Sequence, residues 1–331
     1  MSKEISLKEC IGKGRFGEVW RAILFNEEVA VKVFFTKDEH SWKRESEIFN
    51  LYTLNHDAIL KYHGSEVTSY NTCTQMWLIT DYHRLGSLYD FLQNNSLSVG
   101  QALNIMNSAV SGLFHLHDEF ASSCPKPGIA HRDLKSKNIL MKSPQNVCLA
   151  DFGLSVTKLQ IRQKLYEQIN IRQGTKRYMP PEVLDETIQL DNFEAYKMAD
   201  VYSFAIVLWE VITRTLFNET QTCEYRLPYH QWVSGDPSFE QMQKVVCVDG
   251  QRPELPFQTI DICPTVASSD EIRLKQELLT SLCNLIKESW SEKPCSRLTT
   301  LRIKKDLQRL QSFYRQTNKQ PESSYVIELP N

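Results

Sequence analysis

The sequence predicts an α+β fold with two lobes, a small lobe rich in β-strands followed by a larger lobe of α-helices. The chain has 331 residues, enough for about two units of roughly 150 residues each. Within residues 1–80, β-branched and apolar residues surround glycines, which is typical of strands. After Gly86, apolar residues recur at helical spacing instead.

In the small lobe, predicted for residues 5–80 after a stub at 1–4, the pattern predicts strands at 5–11, 17–23, 28–34 and 75–81. One helix interrupts these strands. Its start is predicted at Thr36-Lys37-Asp38-Glu39, a capping-box pattern with acidic residues in the first turn. Apolar residues then follow at helical spacing, at Ile48, Leu51 and Tyr52.

Residues 81–85 are predicted to connect the lobes, and residues 86–310 to form the large lobe. Apolar periodicity predicts helices at 99–120, 278–290 and 301–310. Residues 198–213 are apolar nearly all round, which predicts a fully buried helix. Residues 311–331 are polar and contain two prolines, so we expect a disordered tail.

The composition excludes several classes of protein. With 41% hydrophobic residues, 24% charged residues and a formal net charge of −2, the chain is of ordinary globular type and gives no reason to expect nucleic acid as a partner. Its 9 Cys residues form no CxxC pair, which argues against zinc and against a disulfide framework. We see no signal peptide and no apolar run of about 18 residues, so no membrane span is expected within this chain.

Two motifs carry the chemistry, HRDLKSKN at 131–138 and DFG at 151–153. Phosphoryl transfer needs a carboxylate for the hydroxyl proton, oxygen ligands for magnesium, and positive charge on the phosphates. Asp133 fits the first need, Asn138 and Asp151 the second, and Lys135 the third. Either motif alone could be a surface charge cluster or a chance match. Together and in this order they resemble a protein-kinase catalytic loop followed by a metal-binding loop.

A glycine-rich loop, GKGRFGEV at 12–19, lies between two predicted strands. Glycines allow the backbone to approach phosphates closely. A Rossmann turn is the usual alternative, but a strand rather than a helix follows this loop, which disfavours it. The predicted nucleotide contacts from this loop are Gly12, Lys13, Gly14, Arg15, Phe16, Gly17 and Val19.

Lys32 ends the stretch VAVK, a close variant of the VAIK strand, and is expected to reach the α- and β-phosphates. A solvated surface lysine is the alternative. Lys32 needs a carboxylate partner on the predicted helix, and the candidates Glu45 and Glu47 point to different helix faces. Glu45 is preferred, partly on the family resemblance that the motifs carry. The strand ending in TDYH is expected to join the lobes beside the adenine, with contacts from Thr80, Asp81 and His83, completed by Ala30 and Leu140.

Other residues of these motifs are expected to be structural. We expect His131 to bond the backbone near Asp151, and Phe152 to pack against the helix that carries Glu45. Glu182 in MPPE is expected to form a buried pair with a large-lobe arginine, for which Arg297 is the candidate. Asp200 is expected to bond the backbone of the catalytic loop.

With these parts assembled, residues 5–310 resemble the kinase domain of type I receptors of the transforming-growth-factor-β superfamily. The strings that carry the resemblance are GKGRFGEVW (12–20), SWKRESEI (41–48), TQMWLITDYH (74–83), HRDLKSKNIL (131–140), GTKRYM (174–179) and RLTTLRIKKDL (297–307). The resemblance implies the two-lobed protein kinase fold and a serine/threonine kinase that uses ATP with Mg²⁺ or Mn²⁺. Lys135 and Thr175 match the serine/threonine pattern.

The resemblance also implies partners and a location. Receptor-regulated SMAD proteins, phosphorylated on C-terminal serines, are the implied substrates, and a type II receptor kinase is the implied partner of the full-length receptor. Residues 65–73 correspond to the loop that selects the SMAD class and resemble the activin-receptor-like, bone-morphogenetic-protein branch. Full-length members cross the plasma membrane once, so the kinase domain is expected on the cytoplasmic side. No oligomeric state is predicted.

The chain departs from the family pattern at several points. Only four residues precede Ile5, so the glycine-serine segment, membrane helix and ectodomain are not in this sequence, and we expect a fragment, an isoform or an incomplete gene model. Phe152 stands where type I receptors have leucine. Pro180 replaces an alanine, Gln173 a valine and Ala205 a glycine, which puts the substrate loop and the packing in question. None of these is a catalytic position.

Two alternatives to a type I receptor kinase stay open at this point. One is a catalytically silent pseudokinase or decoy that binds type II receptors or SMAD proteins without transferring phosphate. The other is a type II receptor kinase or a soluble cytoplasmic kinase. Because every catalytic position is filled, and because the strings at 12–20 and 297–307 resemble type I receptors, we prefer an active type I kinase domain.

Overall fold

The computed structural model describes residues 4–14, 17–51, 54–70, 73–120, 126–165, 169–217, 224–255 and 269–317. The small lobe is a five-stranded antiparallel sheet in the order β1-β2-β3-β5-β4. Its strands are β1 (Ile5–Gly14), β2 (Gly17–Leu24), β3 (Glu27–Phe34), β4 (Tyr62–Tyr70) and β5 (Cys73–Asp81). The four predicted strands are confirmed as β1, β2, β3 and β5.

Alternation along β3 decides which side chains reach the cleft between the lobes. Val29, Val31 and Val33 are buried on one face of the sheet, in a cluster with Trp77 and Ile79. Since successive side chains of a strand point to opposite faces, Lys32 lies on the other face. The pattern VAVKV therefore buries the valines and directs Lys32 towards the large lobe.

The helix of the small lobe, α1 (Glu39–Leu51), begins later than predicted. Thr36–Asp38 forms a 3₁₀ turn, in which the Asp38 N–H donates to the Phe35 carbonyl at 2.8 Å, and no side chain caps this turn. The predicted capping box was therefore wrong. Thr36 lies inside the tighter turn and does not occupy the extended N-cap position that a capping box requires.

The large lobe is mainly helical, as predicted. Its helices are α2 (Leu88–Asn94), α3 (Val99–His117), α4 (Lys158–Arg162), α5 (Pro181–Leu184), α6 (Phe193–Thr213), α7 (Phe239–Gln243), α8 (Ser269–Ser289) and α9 (Thr300–Thr317). Six short strands accompany them: β6 (Leu97–Ser98), β7 (Ile129–Ala130), β8 (Ile139–Ser143), β9 (Asn146–Leu149), β10 (Val156–Thr157) and β11 (Thr215–Leu216). No helix in the described ranges is both long and apolar enough to cross a bilayer.

The core of the large lobe forms around α6, and the prediction of a buried helix there is confirmed. Its residues from Val201 to Ile212 are almost all buried, and α3, α8 and α9 contribute to the same cluster. The helix predicted at 301–310 is longer in the structure, where α9 continues through Thr317. The remainder of the predicted tail, 318–331, lies outside the described residues.

Three of the residues that depart from the family pattern, Pro180, Ala205 and Phe152, have defined places in the fold. Pro180 is the N-cap of α5, where no intrahelical N–H bond is needed, and its carbonyl accepts the N–H groups of Val183 and Leu184 at 3.1 Å each. Ala205 is fully buried in the main core. Phe152 is fully buried as well, with its ring edge-on to Phe49 at 5.2 Å.

The predicted buried pair of Glu182 and Arg297 is confirmed. The guanidinium donates to both carboxylate oxygens, at 2.6 and 2.7 Å, and to the Met198 carbonyl of α6 at 2.9 Å. The Arg297 side chain is fully buried and the Glu182 side chain is 8% exposed. A bidentate pair in this setting fixes α5 to the base of the large lobe.

We predict that Arg297→Ala lowers the free energy of unfolding by about 3–5 kcal/mol, because the Glu182 carboxylate is left buried without its partner. Urea unfolding checks this. The control is Arg302→Ala, which removes a solvent-exposed pair with Asp306 and is expected to change the free energy of unfolding by no more than about 1 kcal/mol. Equal losses in the two variants would contradict the prediction.

Candidate active site

A cleft lies between the small-lobe sheet and the large lobe. Two adjoining cavities of about 590 and 250 Å³ form it, within the size range of small-molecule sites. Most residues predicted to contact a nucleotide line it: Gly12, Lys13, Gly14, Gly17, Val19, Ala30, Lys32, Thr80, Asp81, His83 and Leu140. Arg15 and Phe16 lie outside the described residues.

The three glycines of the loop differ in whether packing within the protein requires glycine. Gly17 has a φ of 149°, and a Cβ there would lie 1.9 Å from the Val33 carbonyl oxygen, so the fold itself requires glycine. A Cβ on Gly12 or Gly14 would meet no atom closer than 3.8 Å. Packing within the protein therefore does not require glycine at those two positions, which leaves space for a ligand to approach the backbone.

Lys32 lies between two carboxylates. Its Nζ is 2.9 Å from Oε2 of Glu45 and 2.8 Å from Oδ1 of Asp151. Burial by itself would lower the pKa of Lys32, but attraction to Asp151 and Glu45 outweighs it, and the pKa is raised above its ordinary value. Lys32 is therefore a fixed positive charge, joined to both α1 and the DFG segment.

The choice of Glu45 over Glu47 agrees with the geometry, since Glu45 is 2% exposed and Glu47 points to solvent. Burial raises the pKa of Glu45, and Lys32 opposes that rise. The second carboxylate oxygen accepts the N–H of Phe152 at 3.2 Å. One side chain thus connects α1 to the lysine and to the backbone of the DFG motif.

Asp133 is held by groups on both sides of its carboxylate. Its Oδ1 accepts the N–H and hydroxyl of Thr175, at 2.9 and 2.7 Å, and its Oδ2 accepts from Lys135 at 2.8 Å. Lys135 also donates to the Thr175 hydroxyl at 2.7 Å. Asp133 therefore already accepts a hydrogen bond from a hydroxyl at this position, and a general base needs the same geometry towards the proton that it takes.

The residues present fit a magnesium or manganese ion shared with phosphates. Both Asn138 and Asp151 line the cleft, and the Asn138 amide nitrogen donates to the Asp133 carbonyl and carboxylate, at 2.9 and 3.2 Å. The amide oxygen of Asn138 takes part in neither bond and can serve as a ligand in the cleft that Asp151 also lines. These two are oxygen ligands, and Mg²⁺ takes few protein ligands when phosphates supply the rest. No cluster of three or more His, Cys, Asp or Glu side chains suited to a metal occurs among the described residues.

Two motif residues adopt left-handed backbone conformations, Arg132 with a φ of 67° and Asp151 with a φ of 66°. Such conformations are costly for non-glycine residues and need support. Asp200 at the start of the buried part of α6 accepts the N–H groups of His131 and Arg132, at 2.6 and 2.8 Å. His131 in turn bonds the Ala150 carbonyl at 3.0 Å. The structural roles expected for Asp200 and His131 are confirmed.

One residue of the site was missed by the sequence reasoning. Glu210 of α6 is fully buried and accepts hydrogen bonds from Ser136 of the catalytic loop at 2.8 Å, from Tyr178 at 2.9 Å and from Tyr225 at 2.6 Å. It therefore joins the catalytic loop to the segment after Thr175. The available signal was an acidic residue within the apolar stretch of α6 that follows Asp200, because a buried charge requires partners.

The fold is that of the protein kinases, and the chain belongs to this family: the protein kinase domain family matches residues 5–307. Over 310 residues, 94% of this chain, it is 49% identical to activin receptor type-1 of Gallus gallus and of Homo sapiens. It is 48% identical to an activin receptor type-1-like protein of Rattus norvegicus. The chain spans 58% of the length of these relatives. This similarity confirms the resemblance to type I receptors.

Glu210 leads to a prediction about pH. Burial raises the pKa of Glu210 from its ordinary 4.5 to about 7, although three hydroxyls donate to it. The folded state then holds this proton more tightly than the unfolded chain, so the stabilisation present below pH 4.5 is lost as the pH rises through about 7. Glu210→Gln should remove this loss, roughly 2–3 kcal/mol, and flatten the dependence of stability on pH.

Urea unfolding at intervals between pH 5 and 8 measures this dependence. The control is Glu47→Gln, an exposed glutamate of α1, which should keep the wild-type slope. The same slope in wild type and Glu210→Gln would show that Glu210 does not titrate in this range.

Proposed function

We propose that this chain is the catalytic domain of a receptor-type serine/threonine kinase that transfers the γ-phosphate of ATP to serine or threonine hydroxyls of cytoplasmic proteins. The observation that carries the proposal is the convergence of Lys32, Asp133 and Asp151 on one cleft, with Glu45 holding Lys32 at 2.9 Å. A positive charge, a proton acceptor and a metal ligand are the groups that phosphoryl transfer requires.

Each group has a separate task in this proposal. The backbone at Gly12, Gly14 and Gly17 covers the phosphates, and Lys32 fixes the α- and β-phosphates. Asp133 orients the acceptor hydroxyl and takes its proton, as it already accepts the Thr175 hydroxyl at 2.7 Å. Lys135 lies 2.8 Å from the same carboxylate and neutralises charge on the transferred group.

Asp151 and Asn138 would hold Mg²⁺ or Mn²⁺ in the cleft. The ion, when bound, neutralises charge on the phosphates. The contribution of the protein is to keep the two ligands in place: Asn138 through its bonds to Asp133, and Asp151 through Lys32, which holds the pKa of the Asp151 carboxyl below its ordinary value against the effect of burial.

The similarity to activin receptor type-1 proteins supports a place in signalling by the TGF-β superfamily. We propose receptor-regulated SMAD proteins as substrates, in the bone-morphogenetic-protein branch, and a type II receptor kinase as the partner of the full-length receptor. In that receptor the kinase domain lies on the cytoplasmic side of the plasma membrane. A silent decoy is the alternative, and the filled positions at Lys32, Asp133 and Asp151 favour the enzyme.

A groove beside Asp133 suits an acidic protein segment. It has a volume of about 370 Å³ and is lined by Lys135, Lys137 and Lys176, together with one acidic residue, Asp236. Asp236 is 94% exposed and lies 3.4 Å from Lys176, so water weakens its effect. Within the described part of the chain, Lys137 has no carboxylate at ion-pair distance and lies over the Tyr89 ring at 4.4 Å. We propose that acidic or phosphorylated residues next to the acceptor bind here.

We predict that Lys32→Arg and Asp133→Asn each lower phosphate transfer by at least about 100-fold while the chain stays folded, because each removes a group required in the transition state. Transfer from radiolabelled ATP measures this, and circular dichroism checks the fold. Lys43→Arg on the exposed surface of α1 is the control and should retain activity. Near-wild-type turnover in either active-site variant would defeat the assignment.

We predict that Lys137→Glu combined with Lys176→Glu lowers kcat/KM for an acidic acceptor peptide by about tenfold and raises it for a basic one, because the charge of the groove is reversed. Paired peptides that differ only in the residues flanking the serine measure the effect. Lys305→Glu, an exposed change on α9, should leave both values unchanged. If kcat/KM changes equally for the acidic and the basic peptide, the groove does not distinguish acceptor peptides by charge.

A further inference from the structure

A β-bulge interrupts the pairing of β4 with β5 close to the segment that connects the lobes. Tyr62 lies opposite Thr80 and Gly64 lies opposite Ile79, so His63 is left without a partner across the strands. A bulge of this kind bends the strand and redirects the side chain of the extra residue. Bulges are frequent beside active sites, and this one adjoins the nucleotide cleft.

The redirected side chain contacts the first residue of the connection. Nε2 of His63 lies 2.7 Å from Oδ1 of Asp81, and the two side chains are 22% and 34% exposed. The N–H of Asp81 donates to the Lys61 carbonyl at 3.0 Å. Lys61, just before β4, therefore holds Asp81 by its backbone, and His63 within β4 holds it by its carboxylate.

The residues that follow are held from other sides. His83 lies 3.4 Å from the Cys148 thiol of β9, and Arg84 donates to Glu28 at the start of β3, at 2.6 Å. The connection is thus fixed to both lobes by side chains. Asp81, Tyr82 and His83 of this connection line the cleft.

We propose that His63 is a positioning residue that sets the affinity of the cleft for its nucleotide. The proposal rests on the proposed kinase function. By holding the Asp81 carboxylate, His63 keeps the connecting backbone in one conformation. The backbone therefore loses less conformational entropy when the adenine binds. His63 touches neither the phosphates nor Asp133. Its loss should therefore weaken nucleotide binding without slowing transfer from the bound state.

A simple contribution to stability is the competing explanation, and variants separate the two. His63→Leu removes the contact, whereas His63→Gln keeps an N–H donor near the same position. His40→Leu is the matched control, because His40 is an exposed histidine of α1 away from the connection. Three quantities are measured: hydrogen exchange of the amides at 81–83 in the nucleotide-free protein, the Kd for ATP, and kcat with KM for ATP.

For His63→Leu we expect faster exchange at 81–83 and a rise of about three- to tenfold in both Kd and KM for ATP, with kcat unchanged, as loss of a partly exposed pair would give. His63→Gln should restore these values, and His40→Leu should match the wild type. An unchanged Kd in His63→Leu would overturn the inference, as would a loss in kcat that His63→Gln does not rescue. A wild-type chain that binds no ATP would overturn the proposed function and, with it, this role of His63.

Discussion

The contact of Lys32 with two carboxylates is the interaction on which the rest of the site depends. It joins three elements that are distant in sequence: β3, α1 through Glu45, and the DFG segment through Asp151. Burying these groups costs free energy that only their mutual attraction offsets, so none is stable here alone. The small lobe and the catalytic segment therefore share one arrangement, in which the lysine faces the cleft at a fixed position.

A second set of buried polar contacts supports the catalytic loop from below. Helix α6 is apolar nearly throughout, yet it presents Asp200 to the backbone at His131 and Arg132, and Glu210 to the side chains of Ser136 and Tyr178. Two acidic residues on one rigid helix thus fix both ends of the loop around Asp133. The left-handed backbone at Arg132 persists because this support determines it.

Short sequence motifs were sufficient to predict the residues of the candidate site that lie within them. Lys32, Asp133 and Asp151 were predicted from short patterns, and Glu45 from its helix position together with the family resemblance. Glu210 and His63 could not be assigned in this way. The partners of Glu210 come from separate segments of the chain. The position of the His63 side chain depends on a bulge in the pairing of β4 with β5, and no local sequence pattern predicts that bulge. The wrong capping box at Thr36 has a related cause, since a 3₁₀ turn and an α-helical start share the same residue types.

The central claim is that this arrangement transfers phosphate, and a transfer assay with SMAD proteins of both branches tests it most directly. Purified chain, radiolabelled ATP and Mg²⁺ are incubated with each substrate, and the label on C-terminal serines is measured. The account predicts labelling of the bone-morphogenetic-protein-branch SMAD. Binding of ATP without transfer to any substrate would contradict it and would favour a decoy.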